Sequence, residues 1–587
     1  MTQTETQTAL QRLALALVGA MAGLAAWFFG EMADTMFHNP RLFLLSVSFV
    51  MGGFALFLGI VGPLGWTRAL AGAMGLAALV SGLLTWATFR FDTLEPFFDS
   101  GLPIAAMGLL LVIGTPFVSA GLQRRGGVLD YPLLFDTAWA ILVRYMAAWL
   151  FTGVAWALVF LSNALLEIVG VTVIEDVLEI DPVPFALTGL FLGLAIAIMH
   201  ELRAYVSPFL VLRLFRVILP VLTLVVAVFL VALPLRGLFG LFGDLSVAAT
   251  LMAVTIAAIT LVTSALDRGP EDEAQAAAMR WGARIMCLML PFLAAAAAWA
   301  VWLRVAAYGW TPERLAAGLS AGLLLGYAVL YALSVLTPDW AARIRKVNLA
   351  MALVVLALAA LWLTPVIQAE AISTRSQLAR YEAGEVAVED LALWEMKDDW
   401  GRAGMAGLTR LRDMAAAGDD ALAAALDRLD SATSRYAFEQ APETPTTEAE
   451  IADVLALLAV YPEGQEISRT ELATLSPDVL DQLAKSCTLG DAEGPGCAVV
   501  LADLDPYREG EEGILLQRTQ GQRRLIVTGL SRVDGALRTG RDLYADVTGV
   551  QLGVQVDQML KSLAAGDIVI QPSGRQMITL GGTSVIP

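Results

Sequence analysis

The feature that most constrains this chain is a succession of apolar runs, each long enough to cross about 30 Å of hydrocarbon as a helix. Their cores lie at 13–29, 42–61, 70–89, 102–122, 145–169, 185–199, 218–235, 245–266, 285–303, 315–336 and 349–367. In hydrocarbon every backbone N–H and C=O must find a partner inside the protein, and a helix meets that demand within one segment. The runs therefore predict an α-helical polytopic membrane bundle of about eleven transmembrane helices over residues 1–369. The lipid bilayer is its first partner. The sixth run is short, and the fifth has room to begin earlier. The first run fits an uncleaved helix better than a secretory signal, because it exceeds a typical signal core and carries only Arg12 ahead of it.

Charge divides the chain. Residues 370–587 hold 35 of the 56 acids and 19 of the 38 bases, so about −16 of the net −18 lies in that segment. A membrane domain, 1–369, is thus followed by a soluble acidic domain, 370–587. Within the latter, residues 388–418, 419–429 and 448–460 show helical periodicity, with the linker-like "EQAPETPTTEAE" ahead of the third. Residues 497–505, 513–519 and 523–530 read as strands, and 567–572 and 576–580 as a closing pair. Helices followed by a small sheet give an α+β C-terminal domain. No basic patch of the kind nucleic acid requires is present, so no nucleic-acid partner is expected.

Arginine and lysine accumulate in cytoplasmic loops. With the N-terminus inside, 13 basic residues from Arg12 to Lys346 fall on inner segments and five on outer loops, while acids collect outside in "FDTLEPFFD" and "IEDVLEID". Eleven spans then place the C-terminal domain outside, in the periplasm of a bacterium.

Ionisable residues at membrane depth are functional candidates because their burial is costly. The candidates are Asp136 and Arg144 at the entry to the fifth span, Glu167 at its far end, and His200, Glu201 and Arg203 at the inner end of the sixth. Asp136 and Arg144 fall within about 80° of one another on a helix, so they can pair or meet other helices. All six lie near the interfaces, where snorkelling and interfacial pairing are the plainer roles. Small residues recur four apart at Gly19 and Gly23, at Gly189 and Gly193, and at Gly318, Gly322 and Gly326. Such spacing suits close helix packing within one chain, or homodimerisation through the tenth helix.

Catalytic signatures are lacking. The histidines are His38 and His200, and no HExxH, P-loop or GxSxG pattern occurs. No catalytic residue and no cofactor is expected. Cys287 lies inside the ninth span, where a small apolar thiol is ordinary.

Four stretches together are similar to an uncharacterised bacterial inner-membrane family, domain of unknown function 4153. They are "VTSALDRG" after the eighth span, "AAYGWTPERL" between the ninth and tenth, "VNLAMALVVLALAALWLTPVIQAEAISTRSQLAR" across the last, and "LWEMKDDWGRAGMAGLTRL" beyond it. The resemblance implies a multi-pass inner-membrane protein with an extracytoplasmic tail, and supplies no activity or site residues. The pattern also resembles a calcium loop at "DLDPYREGEE", where Asp503, Asp505, Glu509 and Glu512 offer oxygen ligands. Pro506 and Tyr507 replace the usual Gly and Asp there, so a solvated acidic hairpin is the competing reading.

Cys487 and Cys497 flank "TLGDAEGPG". Zinc would need two further ligands, and residues 370–587 contain no histidine and no third cysteine. A redox pair would be spaced more closely. An oxidising compartment favours pairing, so a structural Cys487–Cys497 disulfide is expected, joining a helix end to the first strand of the sheet. The leading functional expectation is a non-enzymatic envelope protein anchoring a periplasmic interaction or sensing domain, with a periplasmic protein or ligand as partner. A transporter or lipid-handling permease is the alternative.

Overall fold

A computed structural model describes residues 3–32, 39–123, 127–201, 208–236, 245–439, 448–462, 464–475, 477–490, 495–502, 511–518, 525–533, 535–542, 562, 565, 568–572, 576–580 and 583–585. Among them, eleven helices are long and apolar enough to cross a membrane. The first six are α1 (Gln3–Trp27), α2 (Pro40–Leu64), α3 (Trp66–Ala87), α4 (Leu102–Leu122), α5 (Tyr131–Ile168) and α6 (Pro182–Glu201). The other five are α7 (Pro208–Arg236), α8 (Leu245–Leu266), α9 (Ala277–Tyr308), α10 (Pro312–Val335) and α11 (Trp340–Trp362). The expected spans are all present. At 38 residues α5 extends about 57 Å, further than the hydrocarbon is thick, and it begins at Tyr131, well ahead of its apolar core.

Besides a cluster of Leu44, Leu84, Leu110 and Trp362 that joins α2, α3, α4 and α11, two clusters of side chains fill the bundle. One joins α7 to α11 around Leu219, Met286, Leu290, Tyr331 and Ile344. The other joins α1, α2, α3 and α6 around Leu15, Phe57, Ile60 and Ile196. Lipid tails are as apolar as leucine, so helices gain little by hiding leucine from lipid and rely on close packing. The closest approach joins α1 to α6. A Cβ at Gly19 would overlap the Gly189 carbonyl oxygen, one at Gly189 would overlap that of Gly19, and one at Gly193 would overlap that of Leu15. The backbones touch because no side chain stands between them.

The compact unit that contains the bundle runs from Met1 to Ser431. It includes four helices after the last span: α12 (Ala369–Glu382), α13 (Leu393–Asp398), α14 (Gly401–Ala416) and α15 (Asp420–Ser431). The change of composition at residue 369 falls inside this unit. Leu408 and Leu411 on α14 and Leu422, Leu426 and Leu429 on α15 are buried, on one face of each amphipathic helix.

The second unit, Ala432–Pro587, has its own core. Its five-stranded sheet runs in order β1 (Ala459–Tyr461), β2 (Cys497–Ala502), β3 (Glu511–Arg518), β4 (Leu525–Val533) and β5 (Ala536–Asp542). β1 is parallel to β2, and the remaining pairs are antiparallel. Helices α16 (Glu448–Leu457) and α18 (Pro477–Cys487) supply Val454, Leu480 and Leu483 to the core, and the short α17 (Arg469–Leu472) adds Leu472. A separate three-stranded sheet comprises β6 (Ile568–Pro572), β7 (Gln576–Leu580) and β8 (Thr583–Val585). The helical stretch expected to reach residue 460 ends at Leu457, because residues 459–461 pair with the edge of β2 instead.

The glycine contacts give a direct contrast. Gly193→Val should destabilise the bundle by about 1–3 kcal/mol through overpacking. Gly322→Val, where a Cβ would meet nothing within 4 Å, should leave stability unchanged. Equal thermal midpoints for the two variants in detergent would contradict the packing described.

Candidate functional site

The densest polar cluster is built around the end of α8, in the stretch "VTSALDRGPEDEA". A helix leaves its last carbonyls without intrahelical partners, and at the edge of a membrane that omission is costly. Two arginines from neighbouring helices meet the need. Arg216 on α7 donates from Nε to the Ser264 carbonyl at 3.0 Å and pairs through Nη2 with the Asp267 carboxylate. Arg345 on α11 donates from Nη2 to the Leu266 carbonyl at 2.6 Å and from Nε to the Asp267 carbonyl at 3.2 Å, and its Nη2 also pairs with Glu273 at 2.6 Å. Both guanidiniums are buried.

Asp267 closes the helix in a left-handed conformation, φ 50°, which aspartate tolerates better than most residues. Its Oδ1 accepts the Arg268 N–H at 2.7 Å. Burial pushes the Asp267 carboxyl above its ordinary range, against the opposing pull of that hydrogen bond and of Arg216. Arg268 turns outward, half exposed, to Asp136 at 2.9 Å and Asp272 at 2.7 Å. Its hydrogen bond holds the Asp272 carboxyl below the usual range.

One turn deeper, Asn348 on α11 is the hub of a second set of bonds. Its Oδ1 accepts from the Tyr331 hydroxyl on α10, and its Nδ2 donates to the Tyr131 hydroxyl at 3.1 Å and to Thr263 Oγ1 at 3.4 Å. The two layers together tie α5, α7, α8, α10 and α11 at one end of the bundle. Chemically this is a clamp, in which each cation is matched to a carboxylate or to a helix-end carbonyl.

Among the described residues, the interfacial candidates Asp136, Arg144, Glu167 and His200 do not converge. Asp136 joins the clamp through Arg268, whereas Arg144 donates to the Gly59 carbonyl on α2 at 3.0 Å. The two therefore meet different partners, the loop after α8 and helix α2. Glu167 is exposed near the end of α5, about 46 Å from Asp136 along the helix. His200 packs on α2, where a Cβ at Gly62 would come within 2.5 Å of its Nδ1. Glu201 is the last residue of α6; its side chain and Arg203 lie outside the described residues. Of the third glycine stripe, a Cβ at Gly318 would lie 3.3 Å from the Trp310 ring, one at Gly322 would meet open space, and one at Gly326 would lie 3.9 Å from the Met351 methyl. Asp503, Asp505 and Glu509 are likewise outside the described residues, while Glu512 stands on β3 opposite Ala502. Among the described residues no group of three or more His, Cys, Asp or Glu is placed to hold a metal.

At the other end of the bundle the helices beyond α11 are held to the loops between spans. Arg90 donates to the Trp362 carbonyl at 2.8 Å and pairs with Glu370 at 3.2 Å. Arg380 and Gln377 on α12 donate to the Ala307 and Tyr308 carbonyls at the end of α9, at 2.8 and 3.0 Å. Arg402 on α14 pairs with Asp92 at 2.9 Å. A cavity of about 130 Å³ lies among these segments, with Asp99, Glu313, Glu370, Asp399, Trp362 and Trp400 in its wall.

In the second unit Cys487 and Cys497 form a disulfide, with Cα atoms 4.6 Å apart. It joins the end of α18 to β2, the second strand of the sheet. Arg532 on β4 pairs with Glu471 at 2.8 Å and Glu511 at 3.3 Å, and its hydrogen bond holds the Glu471 carboxyl at about 2 against an ordinary 4.5.

An eleven-helix apolar bundle with polar locks at its ends defines a multi-pass integral membrane protein. The chain belongs to the DUF4153 family, a domain of unknown function, whose family model matches residues 42–393. That span takes in both ends of the bundle. No curated protein and no solved structure matches the chain.

The clamp and the salt bridge of the second unit can each be tested. Arg345→Met strips partners from two carbonyls and the part-buried Glu273 carboxylate, and should destabilise the bundle by about 3–5 kcal/mol. Arg268→Ala, at an exposed pair, should cost under about 1 kcal/mol. Similar losses in chemical unfolding would contradict the clamp. In the second unit Glu471 titrates lower when folded than when unfolded, so its carboxylate stabilises the fold above about pH 4.5. That contribution fades as pH falls toward 2. It is on the order of 2 kcal/mol after discounting for solvent at the partly exposed Arg532. Hydrogen-exchange protection of β4 should fall across that window, and Glu471→Gln should flatten the dependence; a dependence unchanged in the variant would refute it.

Proposed function

We propose that this is a non-enzymatic protein of a bacterial inner membrane whose bundle anchors an extracytoplasmic interaction or sensing unit. Its N-terminus lies in the cytoplasm, and residues 370–587 lie on the periplasmic side. The observation that carries the reading is the attachment of α12 and α14 to the loop ends of the spans through Arg90, Gln377, Arg380 and Arg402. A chain that leaves the membrane through helices fixed at several points is suited to carrying a soluble unit beyond them. The excess of arginine on the opposite loops supports the orientation, and the disulfide is of a kind that persists in oxidising compartments. A permease would use a polar path to midplane. Two of the cavities between spans, of about 520 and 490 Å³, are walled mainly by apolar side chains, which favours the anchor.

The anchor reading predicts that Cys487 and Cys497 resist alkylation in intact cells until a reductant is added, and that crosslinking at native expression captures a specific periplasmic protein or ligand on the second unit. Free thiols at both cysteines, or capture of nothing above background, would overturn it.

A further inference from the structure

The cavity of about 130 Å³ at the end of the bundle where α11 leaves it joins charge to aromatic surface. Asp99, Glu313, Glu370 and Asp399 line it together with Trp362 and Trp400. They come from stretches far apart in sequence: Glu313 from "AAYGWTPERL", Trp362 and Glu370 from the run across the last span, and Asp399 and Trp400 from "LWEMKDDWG". All belong to the first compact unit. Two features hold the walls in place. Arg90 donates to the Trp362 carbonyl at 2.8 Å and to the Ile367 carbonyl at 3.3 Å, and pairs with Glu370. Gly401 follows Trp400 with φ 50°, and a Cβ there would come within 2.8 Å of the Arg90 carbonyl oxygen, so the start of α14 seats directly on that turn.

The wall suits an organic cation better than a metal ion. Arg90 offsets Glu370, whereas Asp99 and Glu313, both exposed, make no ion pair among the described residues. The carboxylates ring the space without converging: among the described residues no group of three His, Cys, Asp or Glu is placed to hold a metal. A molecule of several atoms can reach carboxylates so spaced, and an indole attracts its positive charge. Trp400 is 2% exposed and lines the cavity, and its indole N–H makes no hydrogen bond among the described residues. A buried indole N–H normally finds an acceptor, so this donor is left for an oxygen within the cavity. A space of this size takes a molecule of about six heavy atoms.

We propose that this cavity binds a small primary ammonium with an oxygen close by, as in ethanolamine, its ammonium among the carboxylates and its oxygen at the Trp400 indole N–H. An ammonium makes charge-assisted hydrogen bonds to carboxylates and gains further from the indoles. A neutral diol of the same size keeps the bond to its oxygen and loses both of those. A free amine and the headgroup of an ethanolamine phospholipid share this chemistry, and a cavity at the end of the spans is within reach of either. The site is independent of any ligand of the second unit.

Calorimetric titration of the full-length protein in neutral detergent with ethanolamine, and with ethylene glycol as the uncharged match, tests this. Ethanolamine should bind saturably at one site per chain, and ethylene glycol should not. Asp99→Asn combined with Glu313→Gln should weaken ethanolamine binding roughly five-fold, the scale of two exposed ion pairs. Asp413→Asn with Asp420→Asn removes the same charge from exposed positions on α14 and α15 and should leave binding unchanged. Trp400→Phe, which keeps a ring and loses the N–H, should weaken it roughly five-fold, the scale of one hydrogen bond. No saturable binding, equal binding of ethylene glycol, equal affinities in the two double variants, or unchanged affinity in Trp400→Phe would each overturn the site. Phosphatidylethanolamine added in mixed micelles, with phosphatidylglycerol as control, separates the sources: displacement of ethanolamine assigns the site to a lipid headgroup, and no displacement assigns it to the free amine.

Discussion

The bundle depends on how the end of α8 is satisfied. At the edge of hydrocarbon an unpartnered carbonyl costs several kcal/mol, and neither a glycine cap nor bulk water serves the Ser264, Leu266 and Asp267 carbonyls. Arg216 and Arg345 donate to them from α7 and α11, and in turn need carboxylates to offset their own burial, which Asp267 and Glu273 provide. Removing one member strands the others, so the requirement fixes the relative heights of three helices at once. Asn348 extends the same logic to α5 and α10 through neutral hydrogen bonds.

The remaining bundle is held differently. The α1–α6 contact relies on backbone approach at Gly19, Gly23, Gly189 and Gly193. Polar specification thus sits in the helices that lead toward the tail, and steric specification in those nearer the N-terminus. The anchor reading fits that division, because the buried ion pairs of the clamp lie in the part of the bundle nearer the soluble helices in sequence, although Arg144 also bonds the Gly59 carbonyl in the other part.

Much of the architecture was legible because hydrophobicity acts over whole segments. Eleven runs of sufficient length predict eleven helices, and loop charge adds an orientation. The start of α5 was obscured because Asp136 and Arg144 interrupt its apolar pattern; Asp136 is compensated by Arg268, which lies far along the chain. The same distance hid the clamp. Arg216 and Arg345 read in sequence as inner-loop charge, and nothing local marks them as partners of one helix end. Glycine spacing shows where backbones can approach but not which ones do: Gly19 finds Gly189, while Gly322, in an equally regular stripe, faces open space. In the second unit the short apolar runs of β2 to β4 and the two cysteines were readable. β1 was not, since "LLAV" continues a helical pattern and becomes a strand only because β2 offers an edge.

With an odd number of spans, the clamp and the helices beyond α11 belong on opposite sides of the membrane under the anchor proposal. Single cysteines at the exposed positions Gln275, beside the clamp, and Thr409, on α14, in a background lacking the native cysteines, address this with a membrane-impermeant maleimide. Thr409→Cys should label in intact cells, and Gln275→Cys only after permeabilisation. Labelling of both from the same side, or the reverse pattern, would contradict the account.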